Sequence, residues 1–260
     1  MKIDSPNATG VIAGFGVPTG GTSGQVLQKT SNTNYATQWV DKTANTGLIW
    51  NGRIYGSPVN MTGTTLGGTA TYRADNFDVR LTVENVGGQT GWMTFHLPNF
   101  DFTKDFRVKA NYFILNPTNP ATLGDGFLIG LGVDNISSID FPFSFMNNGG
   151  FKVGIRSYFA GGTGGAFIVE NQSLTLGENT NSTQFSGVWR TFEAEVRTNG
   201  ATGQRTIYTN SSSNIFTNAQ TPLLGKVTTH VPTGKYVTIS SATGSATGGH
   251  YINNLIIENI

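Results

Sequence analysis

The run WRTFEAEVRTNGATGQRTIYTN, residues 189–210, alternates along its first half. Trp189, Thr191, Glu193, Glu195 and Arg197 fall on one side of an extended chain, and Arg190, Phe192, Ala194 and Val196 on the other. Such period-two alternation marks a half-buried strand, because successive side chains of an extended backbone point to opposite faces. NGATGQ then supplies residues that accept positive φ and RTIYT runs back, so the segment predicts a β-hairpin. Alternating or short apolar runs bounded by Gly, Asn, Pro or Asp recur as TATYRA, FDVRLTVENV, GWMTFHLP, FRVKANYFIL, GFLIGLGV and FPFSFMN. They continue as GFKVGIRSYF, GAFIVEN, KYVTISSAT and HYINNLIIENI, the last ending the sequence on apolar residues and predicting a closing strand within a sheet. No window keeps apolar residues at i, i+3, i+4 and i+7 over successive turns, so helix is not expected. Even spacing of short strands predicts an all-β fold, an antiparallel β-sandwich or jelly roll spanning residues 70–260.

Residues 1–45 are different: their few bulky apolar residues cannot bury a core alone. They predict an extended N-terminal segment that anchors the protein and is stabilised by copies of itself. Residues 46–69 read as a transition with short strands of its own.

Composition narrows the function. Among 260 residues only 12% are charged, the net charge is +1, and apolar residues make up 37% with 17 Phe. Solubility therefore rests on Asn, Thr, Ser and Gly, as in a turn-rich β protein. No basic cluster exists to neutralise phosphates, so nucleic acid is not an expected partner. No apolar run reaches the roughly 18 residues that a spanning helix needs, so membrane insertion is not expected either. MKIDSPNATG holds no apolar h-region, so export through a Sec signal is not expected. With 0 Cys, disulfides and thiolate metal sites are excluded.

PTGGTSGQVLQKTSNTNYATQWV, residues 18–40, resembles a short module of phage tail fibres and of some giant-virus fibres, approximately GG(T/A)xGQVLxKxSxxxYxxxW. Gly20, Gly21, Gly24, Gln25, Val26, Leu27, Lys29, Tyr35 and Trp39 carry the match, and Asn34 stands where many such modules have Asp. The resemblance implies a homotrimer joined to other virion proteins through its N-terminus. Val26, Leu27, Tyr35 and Trp39 would then be buried between protomers, at the oligomerisation interface. More loosely, GDGFLIGLG (124–132), VWRTFEAEVRTNG (188–200) and VTISSATGSATGGHYINNLIIENI (237–260) resemble the concanavalin A-like lectin/glucanase superfamily. That resemblance implies a concanavalin A-like sandwich and a sugar-binding role for Asp125; a tight Asp-Gly turn is the other reading of the same pair.

Candidate chemistry is sparse. Trp92, Tyr158, Phe159 and Tyr251 adjoin Gly- or Asn-rich turns, where an aromatic face can stack on a sugar ring. With Asp125, three of them (Trp92, Tyr158 and Tyr251) form the expected ligand-binding set. Asp134, Asn135 and Asp140 could offer hard oxygen ligands to Ca²⁺, but no Glu accompanies them, so the expectation is no resident cofactor or metal, with Ca²⁺ as the alternative. Glu193 and Glu195 share a strand face about 6.5–7 Å apart, a spacing near that of glycosidase carboxylate pairs. The laminarinase-type Glu-x-Asp-x-x-Glu strand is absent, and the pair reads as two solvated glutamates beside Arg190 and Arg197. His96, His230 and His250 form no HxH or HExxH pair, and no Gly-x-Ser-x-Gly elbow occurs. The reading is a non-enzymatic fibre or spike located on the virion, binding host-surface carbohydrate through its sandwich. A capsid decoration protein and a polysaccharide depolymerase are the alternatives.

Overall fold

A computed structural model describes residues 25–29, 37–41, 47–115, 126–134, 149–157, 164–170, 173–179, 187–212, 224–244 and 247–260. The chain divides into two compact units, Met1–Thr46 and Gly47–Ile260. In the first, β1 (Gln25–Lys29) and β2 (Thr37–Asp41) pair antiparallel, setting Val26 opposite Val40 and Leu27 opposite Trp39. Trp39 is half-buried, and Tyr35 lies outside the described residues.

The second unit opens with β3 (Leu48–Asn51) and one helical turn, α1 (Gly52–Tyr55), whose start is capped by the Asn51 side chain accepting from the Arg53 N–H at 2.9 Å. A 3-10 turn at Pro58–Asn60 leads into β4 (Thr64–Gly68), β5 (Thr71–Arg73), β6 (Asp78–Thr82) and β7 (Gln89–His96). Then come β8 (Phe106–Leu115), β9 (Gly126–Val133), β10 (Phe151–Arg156), β11 (Gly164–Glu170) and β12 (Ser173–Asn179). The chain ends with β13 (Arg190–Thr198), β14 (Arg205–Ser212), β15 (Leu224–Thr228), β16 (Tyr236–Thr243) and β17 (Gly249–Asn259). Among the described residues, no helix is long and apolar enough to cross a membrane.

These strands build a seven-stranded sheet in the order β12-β11-β10-β9-β16-β7-β4 and an eight-stranded sheet in the order β15-β14-β13-β8-β17-β6-β5, with β3 joined to β17. The described pairs are antiparallel. Residues 46–69 do hold short strands, and these are members of the sandwich: β3 pairs with β17, and β4 pairs with β7. The reason is visible in LIWN, where Leu48 and Trp50 are buried and Ile49 is exposed. The expected strand FPFSFMN (141–147) lies outside the described residues.

The core lies between the sheets. In β8, Phe106, Val108, Ala110, Tyr112 and Ile114 are buried while Arg107, Lys109, Asn111, Phe113 and Leu115 are half-buried on the outward face. Facing them from the other sheet are Phe127, Ile129 and Leu131 of β9, Val237 and Ile239 of β16, and Met93 and Phe95 of β7. Each such side chain contributes about 1.5–3 kcal/mol by leaving water. The hairpin of β13 and β14 closes between Thr198 and Arg205, and Phe192, Ala194 and Val196 enter the core as the alternation predicts. The closing strand β17 sits inside its sheet, between β8 and β6.

Candidate functional site

Of the expected ligand-binding residues, Trp92 and Tyr251 are among those described. Asp125, Tyr158 and Phe159 lie outside the described residues, as do the possible Ca²⁺ ligands Asn135 and Asp140. Asp134 is exposed and accepts a hydrogen bond from the Thr233 hydroxyl at 3.1 Å. No cluster of His, Asp or Glu able to hold a metal occurs among the described residues. Gly126, which follows Asp125, has φ +114°, and a Cβ there would lie 2.0 Å from the Ile155 carbonyl oxygen, so glycine is required at the entry to β9.

Trp92 and Tyr251 belong to different sheets. Trp92 is half-buried on β7, between Gly67 and Ser240 of the neighbouring strands. Its indole covers the glycines of β4, since a Cβ at Gly67 would stand 2.3 Å from Cε2 and one at Gly68 2.7 Å from Cζ3. Tyr251 is buried on β17 opposite Phe113, on the outward face of the eight-stranded sheet.

Glu193 and Glu195 also share that outward face, but they are not solvated. Both are buried, at 1% and 0% exposure. Glu195 is held between Arg107 at 2.6 Å and Arg197 at 2.7 Å, and Lys109 reaches Glu193 at 2.9 Å. The register explains this: β8 places Lys109 opposite Glu193 and Arg107 opposite Glu195, so long cationic side chains from the next strand cover both carboxylates. Both glutamates belong to an ion-pair ladder that also takes in Glu258, 3.5 Å from Arg107.

Tyr251 borders a cavity of about 500 Å³ on the same outward face. One wall is aromatic. Trp189, which precedes β13 and is 39% exposed, lies 5.4 Å from Phe113 between ring centroids, and Phe113 lies 5.8 Å from Tyr251. The opposite lip is the turn between β5 and β6. There Arg73 meets Asp78 through two hydrogen bonds of 2.8 and 2.7 Å, and its guanidinium stacks 4.1 Å above the Tyr251 ring. This paired fork fixes the turn, at whose tip Phe77 takes φ +57° and is 41% exposed. Gly52 of α1 packs directly on the Phe77 carbonyl, where a Cβ would stand 1.9 Å from the oxygen, and this brings Arg53 to the rim. Glu84, Asp75, Asn76 and Asn253 complete the polar lining among the described residues. Two buried atoms of this lining, Tyr251 Oη and Asn253 Oδ1, have no hydrogen-bond partner.

Of the expected residues that are described, Tyr251 lines this cavity and Trp92 does not. Trp189, Phe113, Arg73, Glu84 and Phe77 were not expected there; the one local trace is Phe77 itself, an aromatic residue set in the polar turn ADNFD. The histidines lie elsewhere: His96 stacks on Tyr236 at 4.7 Å, His230 Nε2 is 3.1 Å from the Gly149 carbonyl, and His250 is buried beside Thr82.

No protein-family model matches the chain, and no curated protein matches it in sequence. Solved structures match in fold. The exoplasmic/lumenal domain of VIP36, in a form bound to Ca²⁺ and Man3GlcNAc, gives a TM-score of 0.56 at 17% identity, covering 84% of this chain and 89% of its own. Arcelin-5, a lectin-like defense protein from Phaseolus vulgaris, gives 0.55 at 13% identity, covering 82% and 97%. The lectin from Bauhinia forficata in complex with GalNAc gives 0.54 at 15% identity, again covering 82% and 97%. Identity at this level speaks to the fold alone: the chain folds as a legume-type, concanavalin A-like lectin sandwich.

Proposed function

We propose that this protein is a non-enzymatic viral fibre or spike whose sandwich binds host-surface glycan and whose N-terminal segment assembles the copies and joins them to the virion. The observation that carries the reading is the lectin sandwich itself, an architecture shared with a mannose-oligosaccharide-bound domain and a GalNAc-bound lectin. The viral setting rests on the GGTSGQVLQK resemblance, which also supports a homotrimer. Binding rather than hydrolysis is supported by Glu193 and Glu195. Both carboxylates are buried and paired with Arg107, Arg197 and Lys109, so neither is open to a substrate. Weak single-site affinity is offset when linked copies engage one surface, by a factor of roughly 10²–10⁴.

The test is a glycan microarray probed with the full chain, with mass spectrometry of the retained sugars. Retention of a defined glycan class, uncut, is the expected result. Shortened glycans would establish a depolymerase instead, and silence across the array would favour a decoration protein.

A further inference from the structure

The cavity beside Tyr251 has features of a sugar site that its position on the outward sheet face does not explain. Trp189, Phe113 and Tyr251 form a continuous strip of rings, and Trp189 keeps part of its face open to solvent. Aromatic faces carry negative charge density, to which the polarised C–H bonds of a pyranose face are complementary. A buried polar atom without a partner is costly, yet Tyr251 Oη and Asn253 Oδ1 are both in that state. A Cβ at Gly249 would stand 2.7 Å from Tyr251 Oη and 2.9 Å from Glu84 Cδ, so that glycine lets the hydroxyl and the carboxylate lie side by side.

Charge then selects the ligand. The charge of Arg73 is paired with that of Asp78, which leaves Arg53 set against Asp75 and Glu84, an acidic excess in the lining. Such a lining favours a ligand that donates hydrogen bonds and repels one that carries a carboxylate. Resting on the glycan-binding reading above and deepening it, we infer that this cavity is the glycan site of the sandwich and takes an uncharged pyranose. The sugar stacks on Trp189 and Phe113 and exchanges hydrogen bonds with Tyr251, Asn253 and Glu84.

The experiment is saturation-transfer NMR and calorimetric titration of the full chain with methyl glycosides of galactose, glucose and mannose, and with N-acetylneuraminic acid as the anionic probe. A neutral glycoside binds and the acidic sugar does not. Trp189→Ala and Tyr251→Phe each weaken binding about tenfold. Tyr251→Phe does not lower the melting temperature, because the hydroxyl it removes makes no internal hydrogen bond; this variant decides the matter if Trp189→Ala folds poorly. Unchanged affinity in Tyr251→Phe, preference for the acidic sugar, or no binding of any neutral glycoside overturns the inference. Glycan binding that survives Tyr251→Phe and is lost in Trp92→Phe would move the site to the other sheet and leave the proposed function standing. Silence of the unaltered chain on every glycan of the microarray would remove that function as well.

Discussion

His250 makes the protein's stability depend on pH in a way the structure specifies. The residue is fully buried, as is Thr82 beside it. The Thr82 hydroxyl donates to the Gly248 carbonyl at 2.8 Å, so its oxygen accepts from His250 Nδ1 at 2.7 Å, assigning the proton of the neutral ring to Nδ1. Nε2 has no partner. A second proton would place an uncompensated cation in the core, and burial pushes the imidazole down from 6.5 to about 3, with the Gly248 backbone opposing the shift. Because the folded value lies below the unfolded one, the contribution is fully present above about pH 6.5 and is lost as pH falls towards about 3. Within that window the unfolded chain binds the extra proton, and the folding constant drops about tenfold per pH unit, on the order of 5 kcal/mol in all. The assay is urea unfolding from about pH 7 to about pH 4 for the parent and for His250→Asn, which cannot titrate. The variant is weaker at neutral pH and has a flatter profile, so the two curves converge as pH falls. Parallel curves would refute the argument that His250 stays neutral in the folded state.

Other consequences concern the ladder and the entry to β9. Glu195→Gln removes a buried carboxylate from between two arginines and costs about 2–4 kcal/mol, lowering the melting temperature by about 2–4 °C per kcal/mol in a domain of this size. Glu258→Gln, on the same Arg107 but with its side chain 42% exposed, changes stability by less than about 0.5 kcal/mol; differential scanning calorimetry of both variants checks the contrast, and equal effects would contradict the buried ladder. Gly126→Ala combines a positive φ with a backbone clash and destabilises by about 2–4 kcal/mol, measured by denaturant unfolding.

Much of the sandwich was legible because its central strands alternate. FRVKANYFIL coincides with β8, and the hairpin of β13 and β14 follows directly from period-two spacing around NGATGQ. SLTLGEN and LGKVT, which form β12 and β15, stood outside the predicted strands. Among the described strands each is the outermost at its end of a sheet, paired on one side only, so little sequence pattern is imposed on it. The outward direction of Glu193 and Glu195 was readable, but their cover was not, because the cations that bury them stand about 85 residues away on β8 and meet them only through strand order. The cavity escaped for the same reason. Its lining is drawn from segments between Arg53 and Asn253, and no local spacing announces that Trp189 and Tyr251 flank one Phe113.

A weak sugar-binding sandwich joined to a segment that multiplies its binding is the heart of the proposed function. Equilibrium binding to a glycan-coated surface, compared at equal chain concentration for the full chain and for residues 47–260, tests both parts at once. The shorter chain is expected still to bind, with apparent affinity lower by roughly 10²–10⁴. Equal binding by the two chains would contradict it.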